Sequence, residues 1–282
     1  MAITHAQFAL LADVVRRRSG LALPPNKTEL VNSKLAPVAA RFGFKKVGAM
    51  LAELEDEPEE LATAVTEAMT TNETSFFRDP ACFDYLRETI LPSLKAARAH
   101  KRRLRIWCGA AATGQEPYSL AMLLCEAGFL PGDWKIDLFA TDLSSEAIAR
   151  MREGLYSHYE VQRGLPVRYL TRHFAPEGAQ WRIADNLRRS LRIHRFNLLD
   201  SYRWLGEIDI VLCRNALLYF DQTDRRETVA RLESCLAPDG WLILGATETT
   251  SEAGDLFMPA GSARGVYVKA RNAPGRQARL AG

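Results

Sequence analysis

Residues 104–119, LRIWCGAAATGQEPYS, change character twice within sixteen positions. Leu104, Ile106 and Cys108 alternate with Arg103, Arg105 and Trp107, the period of a short strand. Residues 109–114 offer only Gly, Ala and Thr, and from Gln115 onward Tyr118, Leu120, Ala121, Leu123 and Leu124 return at helical spacing. A strand feeding a turn of small residues and then a helix lets backbone amides approach a ligand and aims the helix N-terminus at it.

The next strand sharpens this reading. Residues 135–140 (KIDLFA) lead into Thr141 and Asp142. An acid that ends the second strand of a doubly wound sheet can accept hydrogen bonds from both hydroxyls of a ribose. Turn and acid together point to a cofactor carrying a nucleoside. A further buried-type strand at residues 208–213 (IDIVLC) runs into Arg214 and Asn215, with Tyr219 four residues beyond. Open α/β sheets bind ligands at the carboxyl ends of their strands, so these residues are expected to meet Asp142 there.

At 282 residues, the chain has length for one large or two ordinary domains. Apolar residues make up 47% and charged residues 25%, ordinary values for a folded domain, and no apolar run approaches a membrane span. Five scattered cysteines read as reduced core residues, which with no secretion signal at the start implies a cytoplasmic protein. No HxxxH or CxxC pair occurs, and no metal is expected. The net charge of +3 is unevenly spread. Residues 1–46 carry eight Lys or Arg against two acids, residues 47–70 seven acids and no base, and residues 157–196 eight Arg against three acids. Two basic faces on a nearly neutral chain suggest acidic partners.

Thr4 and Gln7 form a capping box stapled by Ile3 and Phe8, so a helix begins near residue 5 and stops at Gly20. Further amphipathic segments cover residues 30–39, where Pro37 is expected to kink the helix, then 47–54 and 59–69. Residues 1–70 are thus read as a small all-helical domain. Residues 69–80, MTTNETSFFRDP, set hydroxyl and amide side chains beside two Phe and Arg78, a composition that suits an acidic group. Residues 79–98 are helical. Residues 71–103 are read as a linker and first helix, and residues 104–271 as the main α/β domain. Within it, residues 157–196, with strands at 181–183 and 191–196, are expected to form a small β-rich insertion. A helix over 221–236, a turn at 237–240 and strands at 241–244 and 266–269 complete it, and residues 272–282 are expected to be a disordered tail.

The stretches TNETSFFRD (71–79), AAATGQEPYSLA (110–121), FATDLS (139–144), FNLLD (196–200), CRNALLYFD (213–221) and LAPDGWLILGATE (236–248) occur in the order found in the CheR-type chemotaxis receptor methyltransferases, which the chain resembles over essentially its whole length. The resemblance implies a class I S-adenosylmethionine-dependent methyltransferase, Rossmann-like with a mostly parallel sheet, an N-terminal all-helical domain and a small antiparallel β-subdomain. It implies methyl transfer to glutamate carboxylates on the cytoplasmic helices of chemoreceptors, leaving S-adenosylhomocysteine. Arg78 and Tyr219 match positions that orient the acceptor or shape the site around the sulfonium. Asn72, Thr74, Arg78, Gly109, Glu116, Asp142, Asn197, Leu198, Arg214 and Asn215 match cofactor-binding positions. Asp142 is placed on the ribose, and Asn197 and Leu198 near the adenine.

The resemblance also makes the basic N-terminal helices a receptor-binding surface, through Arg16, Arg17, Arg18, Lys27, Lys34, Lys45 and Lys46. Residues 174–197 form a shorter segment than in members that hold a receptor's C-terminal tether peptide, so no tether is expected. Neither nucleic acid nor membrane insertion is expected, and a monomer is the default. The rival readings are an S-adenosylmethionine-binding regulatory module without turnover and a methyltransferase with another acceptor. A dinucleotide dehydrogenase is disfavoured because GAAATG lacks the three glycines of pyrophosphate binding.

Overall fold

The computed structural model describes residues 3–25, 27–261 and 263–270; the tail expected over 272–282 lies outside them. The chain begins with four helices, α1 (His5–Ser19), α2 (Thr28–Arg41), α3 (Val47–Glu53) and α4 (Glu59–Met69). The Thr4–Gln7 capping box forms in full, and Gly20 closes α1 in the left-handed conformation at φ 76°. Pro37 sits inside α2. Phe8, Leu11, Val15, Leu35, Met50, Leu51, Leu61 and Val65 converge in a core of their own. These helices are short, and burial of their apolar stripes stabilises them more than intrinsic propensity does.

A second helical stretch, α5 (Pro80–Tyr85) and α6 (Leu91–Ala97) joined by one π-helical turn at Leu86–Ile90, leads into the sheet. The remaining elements in chain order are β1 (Arg103–Gly109), α7 (Gln115–Glu126), β2 (Lys135–Asp142), α8 (Ser145–Glu153), β3 (Leu155–Ser157), α9 (His158–Gln162), α10 (Val167–His173), β4 (Phe174–Glu177), β5 (Gln180–Ile183), α11 (Asp185–Ser190), β6 (Leu191–Arg195), β7 (Ile208–Leu212), α12 (Gln222–Cys235), β8 (Leu236–Ile243), β9 (Phe257–Pro259) and β10 (Val266–Lys269). The main sheet has the order β6-β2-β1-β7-β8-β10-β9. Neighbours from β6 to β8 are parallel, and β10 runs antiparallel to both β8 and β9. Strand order reverses between β1 and β7, the switch point at which such sheets open a crevice. Trp107 on β1 is fully buried and donates its indole N–H to Thr141 Oγ1 at 2.9 Å, tying the ends of β1 and β2 together.

Three expectations need correction. The small antiparallel sheet, in the order β3-β5-β4, begins at Leu155 and not at 157, and Leu191–Arg195 belongs instead to the edge of the main sheet, parallel to β2. An edge strand needs only one buried row, which Leu191 supplies, while the exposed Arg192 and Arg195 keep the open edge from pairing with other chains. Residues 237–240 are not a free turn: β8 starts at Leu236 and bulges, so that Leu236 and Trp241 oppose Ile208 and Ile210. Strand β9 carried no recognisable alternation, being three residues ending in proline. Among the described residues, no helix is long and apolar enough to cross a membrane.

Candidate functional site

The carboxyl ends of β1, β2, β6 and β7 surround a cleft of about 840 Å³, counting its open mouth. Asn72, Thr74, Arg78, Glu116, Asp142, Asn197, Leu198, Arg214, Asn215 and Tyr219 all line it. These residues come from positions 72 to 219 in sequence, and the crossover at the switch point brings them together. Gly109 stands behind the wall: a Cβ there would lie 3.2 Å from the Trp107 ring and 3.3 Å from Leu198 Cδ2. The N-terminal domain supplies part of the roof through Ser19, Leu21 and residues 70–71.

The turn after β1 is narrow because its backbone is forced. Ala110 and Ala112 have positive φ, 55° and 49°. Phe77, Asp79 and Asn215, also beside the cleft, have φ of 48°, 59° and 58°. Each such residue costs on the order of 1 kcal/mol or more, and that strain concentrates where a chain must present backbone or side chain to a ligand. Asp142 is buried; its Oδ2 accepts the Ala112 N–H and its Oδ1 the Ser144 N–H, both at 2.8 Å. Burial raises its pKa above the ordinary carboxylate value, opposed by these backbone donors. The carboxylate is thus fixed in direction with lone pairs to spare.

Arg214 is buried and donates through Nη1 to Glu116 Oε2 at 3.0 Å and through Nη2 to Asp79 Oδ2 at 2.5 Å and the Arg78 carbonyl at 2.9 Å. Burial pushes the Glu116 carboxyl upward and Arg214 pulls it back. Burial alone would lower Arg214, but Glu116 and Asp79 hold it above its ordinary value. Arg214 therefore binds the strained turn at Asp79 to the start of α7, more a brace of the cleft than a free cation. Asn72 donates to Ser144 Oγ at 3.3 Å, and Asn197 donates to the Arg18 carbonyl at 2.6 Å. Arg78 differs. Among the described residues its guanidinium makes one hydrogen bond, Nη1 to the Glu73 carbonyl at 3.3 Å, and has no carboxylate ion-pair partner.

Sequence reasoning did not single out Glu248. Its Oε2 accepts the N–H groups of Asn215 and Gly245, both at 2.7 Å, and its Oε1 that of Leu218 at 3.1 Å. A buried carboxylate with three backbone donors fixes the loop that carries Asn215 and Tyr219. The signal lay in GATE, where an acid follows three residues after a glycine just beyond the end of β8; at Gly245 a Cβ would meet Asn215 Nδ2 at 2.6 Å.

The basic N-terminal residues are not alike. Arg16 pairs with Asp221 at 3.3 Å, Arg17 with Asp13 at 2.9 Å and with Glu57, and Arg18 with Glu59 at 2.5 Å. Lys34 is half-buried, donates to the Thr70 and Met69 carbonyls at the end of α4, and is lowered in pKa by that burial. Lys27, Lys45 and Lys46 are exposed and have no ion pair among the described residues.

A sheet in the order β6-β2-β1-β7-β8-β10-β9, parallel from β6 to β8 with β10 reversed, a small-residue cradle after β1 and a directed acid ending β2 define a class I S-adenosylmethionine-dependent methyltransferase. Residues 72–266 match the CheR methyltransferase, SAM-binding domain, and residues 6–70 the all-alpha domain of the same family. The chain is similar to Chemotaxis protein methyltransferase 1 of Pseudomonas aeruginosa, 34% identical over 277 residues that span 96% of this chain and 100% of that one. It is also similar to the Chemotaxis protein methyltransferase of Escherichia coli, 33% identical over 257 residues, 89% and 87% of the two chains. The chain belongs to the CheR methyltransferase family, and S-adenosylmethionine is its cofactor. The residues present fit that group: a directed, buried carboxylate for the ribose, a cradle of small residues in front, and the apolar wall of Leu198 and Phe196.

Proposed function

We propose that this chain methylates glutamate side chains on the cytoplasmic helices of chemoreceptors, with Arg78 and Tyr219 on the acceptor side of the cleft and Asp142, Asn197 and Leu198 on the cofactor side. The bound cofactor supplies an already activated methyl group on a sulfonium. A glutamate carboxylate is ionised at neutral pH, so the chain needs no general base. The observation that carries this reading is the state of Arg78. The other charged side chains lining the cleft are either paired within the protein, as Glu73 is with Arg163 at 2.6 Å and Glu116 with Arg214, or held by backbone donors, as Asp142 is. Arg78 alone among them has no ion pair of its own: it lies near enough to Glu73 and Glu116 to favour their ionised forms, yet its planar fork stays open to a carboxylate that arrives from outside.

Tyr219 is 37% exposed on a short 3-10 turn, and its hydroxyl, without a hydrogen bond among the described residues, is placed to meet an acceptor or to shape the space around it. Holding the carboxylate oxygen in line and shedding water from both charges would then provide most of the rate. Of the basic residues expected to meet a receptor, Lys27, Lys45 and Lys46 have no ion pair among the described residues and could meet an acidic receptor helix, whereas Arg16, Arg17, Arg18 and Lys34 are already engaged. The test is transfer of labelled methyl to receptor-containing membranes. Base-labile label, lost with Arg78→Ala, supports the reading. Label on another acceptor, or binding with no transfer to any receptor, would reject it in favour of a different acceptor or a regulatory module.

A further inference from the structure

The last turn of α1 and the three residues after it grip both rims of the cleft. On one rim the Arg18 carbonyl accepts the Asn197 side-chain N–H at 2.6 Å, and Asn197 Oδ1 in turn receives the Leu199 N–H at 3.0 Å. On the other rim Leu21 makes an isolated antiparallel bridge with Phe220, and the Ala22 N–H donates to the Tyr219 carbonyl at 2.8 Å. Arg16 reaches past this bridge to Asp221 at 3.3 Å, the residue that caps α12 by accepting the Asp224 N–H at 2.8 Å. Ser19 and Leu21 themselves line the cleft.

Gly20 makes this docking possible on two counts. It holds φ 76°, and a Cβ there would lie 2.9 to 3.1 Å from three atoms of the Phe220 ring. The Tyr219 turn is therefore held from two sides: Glu248 takes the N–H groups that precede it, and Ala22 takes its carbonyl. The first clasp belongs to the methyltransferase domain and the second to the N-terminal one.

We infer that residues 19–22 are a positioning strap for the transfer site, so that the N-terminal domain sets where the Tyr219 side chain stands as well as offering a surface to a partner. The inference rests on the proposed placement of Tyr219 at the acceptor side, and it assigns Arg16 to the Tyr219 loop and not to a receptor. Ala22→Pro deletes the one hydrogen bond from the strap to the Tyr219 carbonyl, and Gly20→Val drives a side chain into Phe220. Gly43→Val is the control for backbone strain alone, because Gly43 also has positive φ, 81°, with nothing within 4 Å of its Cβ position.

The experiment places 3-fluorotyrosine at position 219 of the full chain and combines its fluorine resonance with methyl-transfer kinetics on receptor-containing membranes and a thermal melt. Ala22→Pro and Gly20→Val should shift or broaden the resonance and lower kcat by about tenfold, with KM for S-adenosylmethionine within about threefold in Ala22→Pro. Gly43→Val should do neither. Arg16→Gln should lower kcat by about threefold, with Arg16→Lys restoring most of it. If Gly20→Val does not fold, Ala22→Pro and Arg16→Gln decide. An unmoved resonance with unchanged kcat in Ala22→Pro and Arg16→Gln overturns the strap. A fully active Tyr219→Phe would instead sink the role given to the Tyr219 hydroxyl, leaving the resonance and kcat to judge the strap.

Discussion

Asp142 and Arg78 line one cleft yet are held in opposite ways. Asp142 is buried at the end of a central strand, and both of its oxygens are aimed by backbone N–H groups of adjoining turns. Arg78 lies outside the sheet, on a loop between α4 and α5, and its guanidinium makes one long hydrogen bond among the described residues. The sheet fixes the side of the cleft that receives the same small molecule at every turnover. In the proposed reading, loops braced by Arg214, Glu248 and residues 19–22 make up the side that admits the protein acceptor. A fold can preorganise a pocket for a constant ligand, and it leaves the charge for a variable macromolecular acceptor unpaired until that acceptor arrives.

That contrast can be broken at its braces. Replacing Arg214 with Met leaves Glu116 buried without a counter-charge, and should cost about 3 to 5 kcal/mol of stability in urea unfolding; a loss below 1 kcal/mol would mean that the pair is not a brace. Arg78→Lys keeps the charge but not the planar fork, and should lower methyl transfer by about 100-fold with the melting temperature nearly unchanged. Glu248→Gln keeps one acceptor oxygen where three backbone donors converge, and should lower kcat by about tenfold, with a smaller change in affinity for S-adenosylhomocysteine.

The smallest expected effect is on pH dependence. Burial raises the Asp142 pKa, so its ionised form is a cost to the folded protein: the stability term is fully present below the unfolded carboxylate value and is lost as pH rises through the folded value. In the proposed reading a ribose hydroxyl donates to the ionised form of Asp142, so affinity for S-adenosylhomocysteine should weaken as pH falls through that raised value. Calorimetry at a series of pH values should show this slope in the wild type and a flat response in Asp142→Asn; equal slopes would place the titrating group elsewhere.

Much of this was legible in the sequence where a local pattern and its structural role coincide. The Thr4–Gln7 box, the cradle after β1 and the acid ending β2 each need only a few neighbouring residues to be recognised, and each stands where its pattern implied. Leu191–Arg195 misled because an edge strand and an insertion strand share one alternation, and only pairing with β2 separates them. Glu248 reaches Asn215 and Leu218 across a long stretch of sequence and Gly20 meets Phe220 across a longer one, and Arg16, Arg17 and Arg18 find distant acids in the same way, so a basic run that looked free in sequence is largely committed in the fold.

The most direct test of the account is calorimetric titration of S-adenosylhomocysteine into wild type and Asp142→Ala. Losing the directed carboxylate should weaken binding by about 100-fold while the protein stays folded. Wild-type affinity in Asp142→Ala would contradict the assignment of the cleft to this cofactor.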